Sequence, residues 1–350
     1  MIVYPIFGII DFIKLRGKMI CAKDFYHETE EKRTKMRFPD FIIAGAMKCG
    51  TTSLHNILSS HPEIYIPQRE IHFFDIDDIK QHPDFFIFSN GNWYYPQYGT
   101  NFEKYLNWYR AFFSTAHGTQ VIGEDSTTYL ASAKTPERIA KLIPDVKIII
   151  MLRDPASRTY SHYWHLLRTG RAIHTFEDSL RIMPGTLIQR SHYKNQIEKY
   201  LKHFSRENIC FILFEEFIQD IQGTVNEVCQ YLNVPNDGIN IHQIKTHYNP
   251  ANLPKFPTLQ LWRNRLMKIS THPTYLEHLL DVPHEREYGS NNFAILMDRI
   301  HSKINSQKKG KPPQMNPITR KFLNQYFSQE NNGLNELISK DIDALWYKDL

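Results

Sequence analysis

The stretch FIIAGAMKCGTTSL, Phe41 to Leu54, constrains this chain more than any other. Four apolar residues, Phe41–Ala44, read as a strand buried on both faces, as in a parallel sheet covered by helices. Gly45 and Gly50 follow at the spacing of a phosphate-binding loop between strand and helix. Glycine is needed there so that the backbone can approach an anion closely. The first turn of the next helix offers N–H groups and the positive end of its dipole. Triphosphate-binding loops place lysine directly after the second glycine. Here Thr51 stands in that position and Lys48 comes two residues before Gly50, while Thr51, Thr52 and Ser53 line up three hydroxyls. A plain strand-to-helix turn explains neither the lysine nor the hydroxyls. Cys49 is not a phosphatase nucleophile, because the Cys-x5-Arg pattern would require arginine where His55 stands. It reads as a small loop residue.

Further apolar runs suited to buried parallel strands are Ile64–Ile66, Val121–Gly123, Val146–Leu152 and Ile209–Phe214. Helical patterns lie between them, at Thr52–Ser60, Phe102–Phe113, Pro136–Ile143, His192–Phe204 and Phe217–Leu232. This alternation predicts an open α/β sheet. Residues 249–316 are rich in Pro, Asn and Lys and read as loops and short helices. Pro317–Leu350 returns to helix, and Leu334, Leu337, Ile338, Ile342, Leu345 and Trp346 are expected to pack on the core.

Two more segments carry chemistry. PQREIHFFD, Pro67–Asp75, follows the second strand, where the ligands of open α/β sheets sit. Glu70 is a candidate general base, and His72 a second acid/base or orienting group. In VKIIIMLRDPASRTYSHYWH, Val146–His165, a buried strand ends at Arg153 and a helix starts at Pro155. Arg153 and Ser161 are placed to converge on one phosphate, the guanidinium as a bidentate fork. The structural alternative pairs Arg153 with Asp154 or Glu124.

Composition excludes several classes. The chain has 350 residues, 41% hydrophobic and 23% charged, with a formal net charge of +5, so it is globular and mildly basic. Its basic runs are too short for a nucleic-acid-binding patch. Four cysteines, Cys21, Cys49, Cys210 and Cys229, form no zinc or disulfide pattern. Cys210 and Cys229 read as core. The apolar start MIVYPIFGII is shorter than the roughly 20 residues a membrane span needs. It lacks the order of charge and cleavage site of a signal peptide. It is expected to be a docked terminal segment or a surface anchor.

Together the motifs resemble the sulfotransferase superfamily that uses 3′-phosphoadenylyl sulfate. KCGTTSL, from Lys48, is similar to its 5′-phosphosulfate loop, and RDPASRTYSHYWH, from Arg153, to its 3′-phosphate motif. EIHFF, from Glu70, resembles the acidic segment of the glycan-modifying branch, the heparan-type N- and 3-O-sulfotransferases and their bacterial relatives. GEDSTTYL, Gly123–Leu130, matches a further family block, and the segment from Lys308 to Trp346 resembles the family's close. The likeness covers roughly residues 38–348.

The resemblance implies an α/β fold, a P-loop-like three-layer sandwich with a central parallel sheet of about five strands flanked by helices. It makes 38–350 a single domain behind a lead-in at 1–37. Lys48, Cys49, Gly50, Thr51, Thr52 and Ser53 would hold the 5′-phosphosulfate, and Arg153 and Ser161 the 3′-phosphate. Lys309, Gly310 and Lys311 would close over the nucleotide. Glu70 would be the catalytic base, Lys48 would stabilise the leaving group, and His72 would sit near the acceptor. No metal is called for. The expected partner is a carbohydrate or glycolipid, with no nucleic acid, and with membrane contact only through the apolar N-terminus. The absence of Asn-x-Ser/Thr sites, a spanning segment and a disulfide pattern points to the cytoplasm.

Two departures stand out. Asp125 lies where glycan-modifying relatives often carry lysine, and Arg69 lies where many bacterial relatives have it. Two other readings are open. A P-loop kinase or NTPase would require lysine after Gly50, Mg²⁺ and ATP; a dead nucleotide- or glycan-binding module would never release sulfate from the donor. Trp93, Tyr94, Tyr95 and Trp164 are able to stack on sugars but read more readily as core.

Overall fold

The computed structural model describes residues 12–15, 18–21, 37–239, 251–267, 278–281 and 292–348. The apolar start, the charged run before residue 37 and parts of 249–316 lie outside these residues. A central sheet is built from β1 (Phe41–Gly45), β2 (Ile64–Tyr65), β3 (Val121–Asp125), β4 (Lys147–Leu152) and β5 (Ile209–Leu213). The spatial order is β2-β3-β1-β4-β5 and every pairing is parallel. All five residues of β1 are buried, as expected of a strand covered on both faces. Helices flank the sheet: α1 (Thr51–Leu58), α2 (Phe102–Ala111), α3 (Thr135–Leu142), α4 (Pro155–Arg168), α5 (Tyr193–Leu201), α6 (Ile221–Leu232) and α7 (Pro317–Glu330). The α/β sandwich with five parallel strands is therefore the observed architecture.

Local chemistry sets the helix ends. Pro155 opens α4 in its first turn, and Asp154 caps it by accepting from the Ser157 N–H at 2.5 Å. The single helix expected over Phe217–Leu232 is instead two, Phe214–Gln219 and α6. Asp220 ends the first and caps the second, its carboxylate accepting from the Gly223 N–H at 2.8 Å. A capping carboxylate thus overrode a continuous apolar stripe.

The described residues of 251–267 and 292–310 also differ from the expected loops and short helices. Ala251–Pro254 and Gln307–Gly310 pair as an antiparallel ribbon that packs on α4, and helices run over Pro257–Leu266 and Asn292–Ile304. The main core joins the sheet to the C-terminus through Leu334, Ile338, Ile342 and Trp346. Leu345 is exposed, contrary to expectation. A second cluster unites α4, the helix Phe176–Ile182 and α7 through Trp164, Phe176, Leu323 and Phe327. Cys229 is buried and Cys210 partly so. Trp164 is core as read, but Trp93 and Tyr95 are not: Trp93 lies exposed on the hairpin Ile87–Ser89/Asn92–Tyr94, beside Phe88, and Tyr95 is exposed just beyond it, stacked on Phe86. Among the described residues no helix is long and apolar enough to cross a membrane.

Candidate active site

The order of the strands decides which loops meet. β1 lies between β3 and β4, so the segments leaving their carboxyl ends gather at one edge. The loop after β1 is stitched to both neighbours. Ala46 N–H donates to Met151 O at 2.7 Å, and Leu130 N–H donates to Ala44 O at 2.8 Å. Gly45 has φ of 138°, and a Cβ there would come 2.7 Å from Thr127 O, so this position accepts only glycine. Gly50, with φ of 94°, likewise faces Phe214 at 2.8 Å.

The first backbone bonds of α1 run from the Ser53 and Leu54 N–H groups back to Gly50 O, at 2.9 and 3.2 Å. The amides at the start of the helix therefore remain available to a ligand. Thr51 is buried, Ser53 is partly exposed and Thr52 is open to solvent. Lys48 holds a left-handed backbone, φ 72°, in this loop. Strain of that kind, about 1–3 kcal/mol, persists only where the surroundings enforce it. Burial lowers the Lys48 ammonium from its ordinary value, Arg168 and Arg153 push it the same way, and Glu70 opposes them.

Cys49 does not face the ligand side. It is fully buried, its thiol lies 3.7 Å from the Tyr193 hydroxyl, and its N–H is bonded to Ala46 O. Burial pushes that thiol up to about 12. It is a packing residue, which leaves the loop's amides to its neighbours.

Arg153 leaves the end of β4 and donates to Lys48 O at 3.3 Å, with its guanidinium 4.6 Å over the Phe214 ring. The structural alternative fails. Asp154 pairs with Arg320 at 2.9 Å, and Glu124 accepts from the Tyr109, Tyr129 and Ser126 hydroxyls. Neither carboxylate pairs with Arg153. Ser161 sits partly exposed on α4. Lys309 and Lys311 are exposed, and Gly310 ends a strand of the ribbon on α4.

The third wall is the segment after β2. Ser126, just beyond β3, accepts from the Ile71 and His72 N–H groups at 3.2 and 3.0 Å and fixes this segment against the sheet. Glu70 is half-buried. Thr127 Oγ1 donates toward both carboxylate oxygens at 3.0 and 3.1 Å, and His72 Nε2 lies 3.2 Å from Oε2. Burial pushes the Glu70 carboxyl up to about 8, the Asp125 carboxylate adds to the rise, and the Thr127 hydroxyl opposes it. A base with its value near neutrality is well matched to general-base work. His72 is buried, and burial keeps its imidazole neutral.

These geometries place an anion cradle and a poised carboxylate at one edge of the sheet. The Sulfotransferase family model matches residues 39–238, more than half of the chain. The chain belongs to the sulfotransferase family.

Its relatives fall into two groups. Mouse heparan sulfate glucosamine 3-O-sulfotransferase 5 is 28% identical over 57% of this chain and 54% of its own length. The bifunctional heparan sulfate N-deacetylase/N-sulfotransferase 1 of Caenorhabditis elegans is 27% identical over 58% of this chain and 23% of its own. The chain therefore spans about half the length, or less, of these curated relatives. The crystal structure of a sulfotransferase from Alicyclobacillus acidocaldarius superposes with a TM-score of 0.57 at 27% identity, over 89% of this chain and 100% of that one.

Within this sulfotransferase fold, Asp125 has a specific place. It is buried, its Oδ2 lies 3.2 Å from His55 Nδ1 on α1, and its charge adds to the rise of the Glu70 carboxyl. Sequence reasoning missed Thr127, although it lies in the GEDSTTYL block that drew attention. It also missed His55 and Arg168, whose roles arise from strand order and the face of α4, and these have no local signal.

Proposed function

We propose that this sulfotransferase moves a sulfuryl group from 3′-phosphoadenylyl sulfate to a hydroxyl or amine of a carbohydrate or glycolipid acceptor. The observation that carries this reading is Glu70, held by Thr127 and His72 beside the Lys48 loop. The residues present fit the donor. The open amides at the start of α1, with Thr51, Thr52 and Ser53, suit its 5′ end, and Arg153 with Ser161 suits its 3′-phosphate. Lys309, Gly310 and Lys311 are offered as a cover from the ribbon. The heparan-acting relatives support a glycan acceptor.

Sulfuryl transfer is in-line displacement at sulfur, so positioning and charge stabilisation do most of the work. Glu70 takes the proton of the attacking hydroxyl or amine as its oxygen or nitrogen bonds to sulfur. The bond from sulfur to the bridging phosphate oxygen breaks, and Lys48 offsets the charge that gathers on that oxygen. Adenosine 3′,5′-bisphosphate leaves. The same carboxylate, ionised, holds His72 through Nε2. A cytoplasmic location remains part of the proposal.

Binding separates this reading from a kinase. Adenosine 3′,5′-bisphosphate without Mg²⁺ should raise the thermal midpoint in a concentration-dependent way. Stabilisation by ATP with Mg²⁺ and none by the bisphosphate would overturn it.

A further inference from the structure

The helices Pro257–Leu266 and Asn292–Ile304 lie beyond residue 238, where the family match ends, and neither donor binding nor proton transfer uses them. The first is fixed to the body by its inner side. Asn264 is buried, and its Nδ2 donates to Leu167 O at 2.9 Å and Ala172 O at 2.8 Å, at the end of α4 and just past it. The second is fixed to the first. Arg263 Nη2 donates to Asp298 Oδ1 at 2.8 Å, and buried Asn305, just after that helix, donates to Phe256 O at 3.2 Å.

The outer sides are apolar. Leu259, Trp262 and Leu266 recur at helical spacing on the first helix, and Leu296, Ile300 and Ile304 on the second. A soluble helix turns such a stripe to the core. Here all six are exposed, Leu266 at 78% and Trp262 at 56%. With Met297 they make seven of the eighteen large apolar side chains exposed among the described residues, so they form a patch rather than a scatter.

Cations are set among them. The Arg265 guanidinium lies 5.8 Å from the centre of the Trp262 ring. Arg299 and Lys303 follow Leu296 and Ile300 by three residues, on the same side of their helix. Residues 252–267 and 296–311 together carry eight Lys or Arg and one Asp, a formal charge of +7. The whole chain carries +5, so the remainder is −2 and the basic excess of the protein is concentrated here. The one acid, Asp298, is already paired with Arg263.

Charge and apolarity together select the occupant. A second copy docked through this face would set like charges against one another. A soluble polyanion would satisfy the cations and leave both stripes in water. An anionic lipid surface satisfies both. We propose that these two helices dock on an anionic bilayer, with the stripes at the boundary of headgroups and acyl chains and the cations on lipid phosphates. At 10 and 13 residues they lie on the membrane rather than span it, which takes roughly 20. Membrane contact then runs through these helices, and not only through the apolar N-terminus. The docking does not depend on the sulfuryl-transfer reading, because its readout is partition alone.

The test is cosedimentation of the full chain with vesicles of phosphatidylcholine mixed with phosphatidylglycerol, against phosphatidylcholine alone. Binding is expected to the mixed vesicles and should fall as salt is raised. W262S/L266S/I300S and R299Q/K303Q should each weaken it at least about tenfold. These side chains are exposed, so both variants should keep the thermal midpoint of the parent. Lipids brominated in their tails should quench tryptophan fluorescence in the wild type, and W262F, which stays apolar, should bind but lose that component. Failure of the wild type to bind mixed vesicles overturns the proposal, and so does undiminished binding in either multiple variant. A wild-type dimer that W262S/L266S/I300S makes monomeric, with vesicle binding unchanged, would give the face to a second copy. Binding of soluble heparin fragments, lost in R299Q/K303Q and without any vesicle binding, would give it to a polyanion; either result overturns the lipid assignment.

Discussion

The anion loop leaves β1 and the acid/base segment follows β2, two strands away, and the two are built on different principles. The loop binds through backbone. Its shape comes from Gly45 and Gly50, where a Cβ would collide, and the first amides of α1 have no partner within the helix. The segment after β2 works through side chains held by other side chains: Glu70 by Thr127 and His72, with Asp125 beside it tied to His55. The first kind of site is written locally in the chain. The second depends on residues brought together by strand order. Substitutions should therefore separate donor binding from proton transfer.

The largest expected effect is on the side-chain half. Glu70→Gln removes the base and keeps its shape, so turnover should fall by about 10²–10⁴ with affinity for the bisphosphate unchanged, measured by single-turnover kinetics and calorimetry. Near-wild-type turnover in a folded, binding-competent variant would remove Glu70 from the role. Lys48→Ala should cost about 10²–10³ in turnover, since its charge matters most as the bridge oxygen leaves. Arg153→Ala should weaken bisphosphate binding first, by about 1.5–3 kcal/mol as for a hydrogen bond to a charged group, and leave the chemical step at saturating donor nearly intact.

Gly45→Ala tests the loop as backbone. The collision with Thr127 O and the positive φ predict a stability loss of about 1–3 kcal/mol, read as a lower denaturation midpoint. The smallest effect sharpens the electrostatics. Glu70 works ionised and its carboxyl is raised to about 8, so kcat/KM should rise with pH through that region and fall away below it. Asp125→Asn removes a charge that raises Glu70 and should move this limb to lower pH. Thr127→Val removes a donor to the ionised form and should move it to higher pH. Matching shifts in both variants would break the assignment.

The loop was legible because Lys48, the glycines and the hydroxyls are neighbours in sequence, and all five strands were legible as apolar runs. Asp220 was not, because a cap outweighed the stripe over Phe217–Leu232. Trp93 was misjudged because a hairpin exposes one aromatic as readily as it buries another. The ribbon at Gln307–Gly310 pairs with residues far away in the chain, so no local pattern revealed it.

The most direct measurement follows labelled sulfur from 3′-phosphoadenylyl sulfate, without Mg²⁺, across a panel of glycans, glycolipids and phenols. The account predicts label on a carbohydrate hydroxyl or amine, with equal release of adenosine 3′,5′-bisphosphate, and loss of both in Glu70→Gln. Label that stays on the donor for every acceptor, in a chain that binds the bisphosphate, would contradict it.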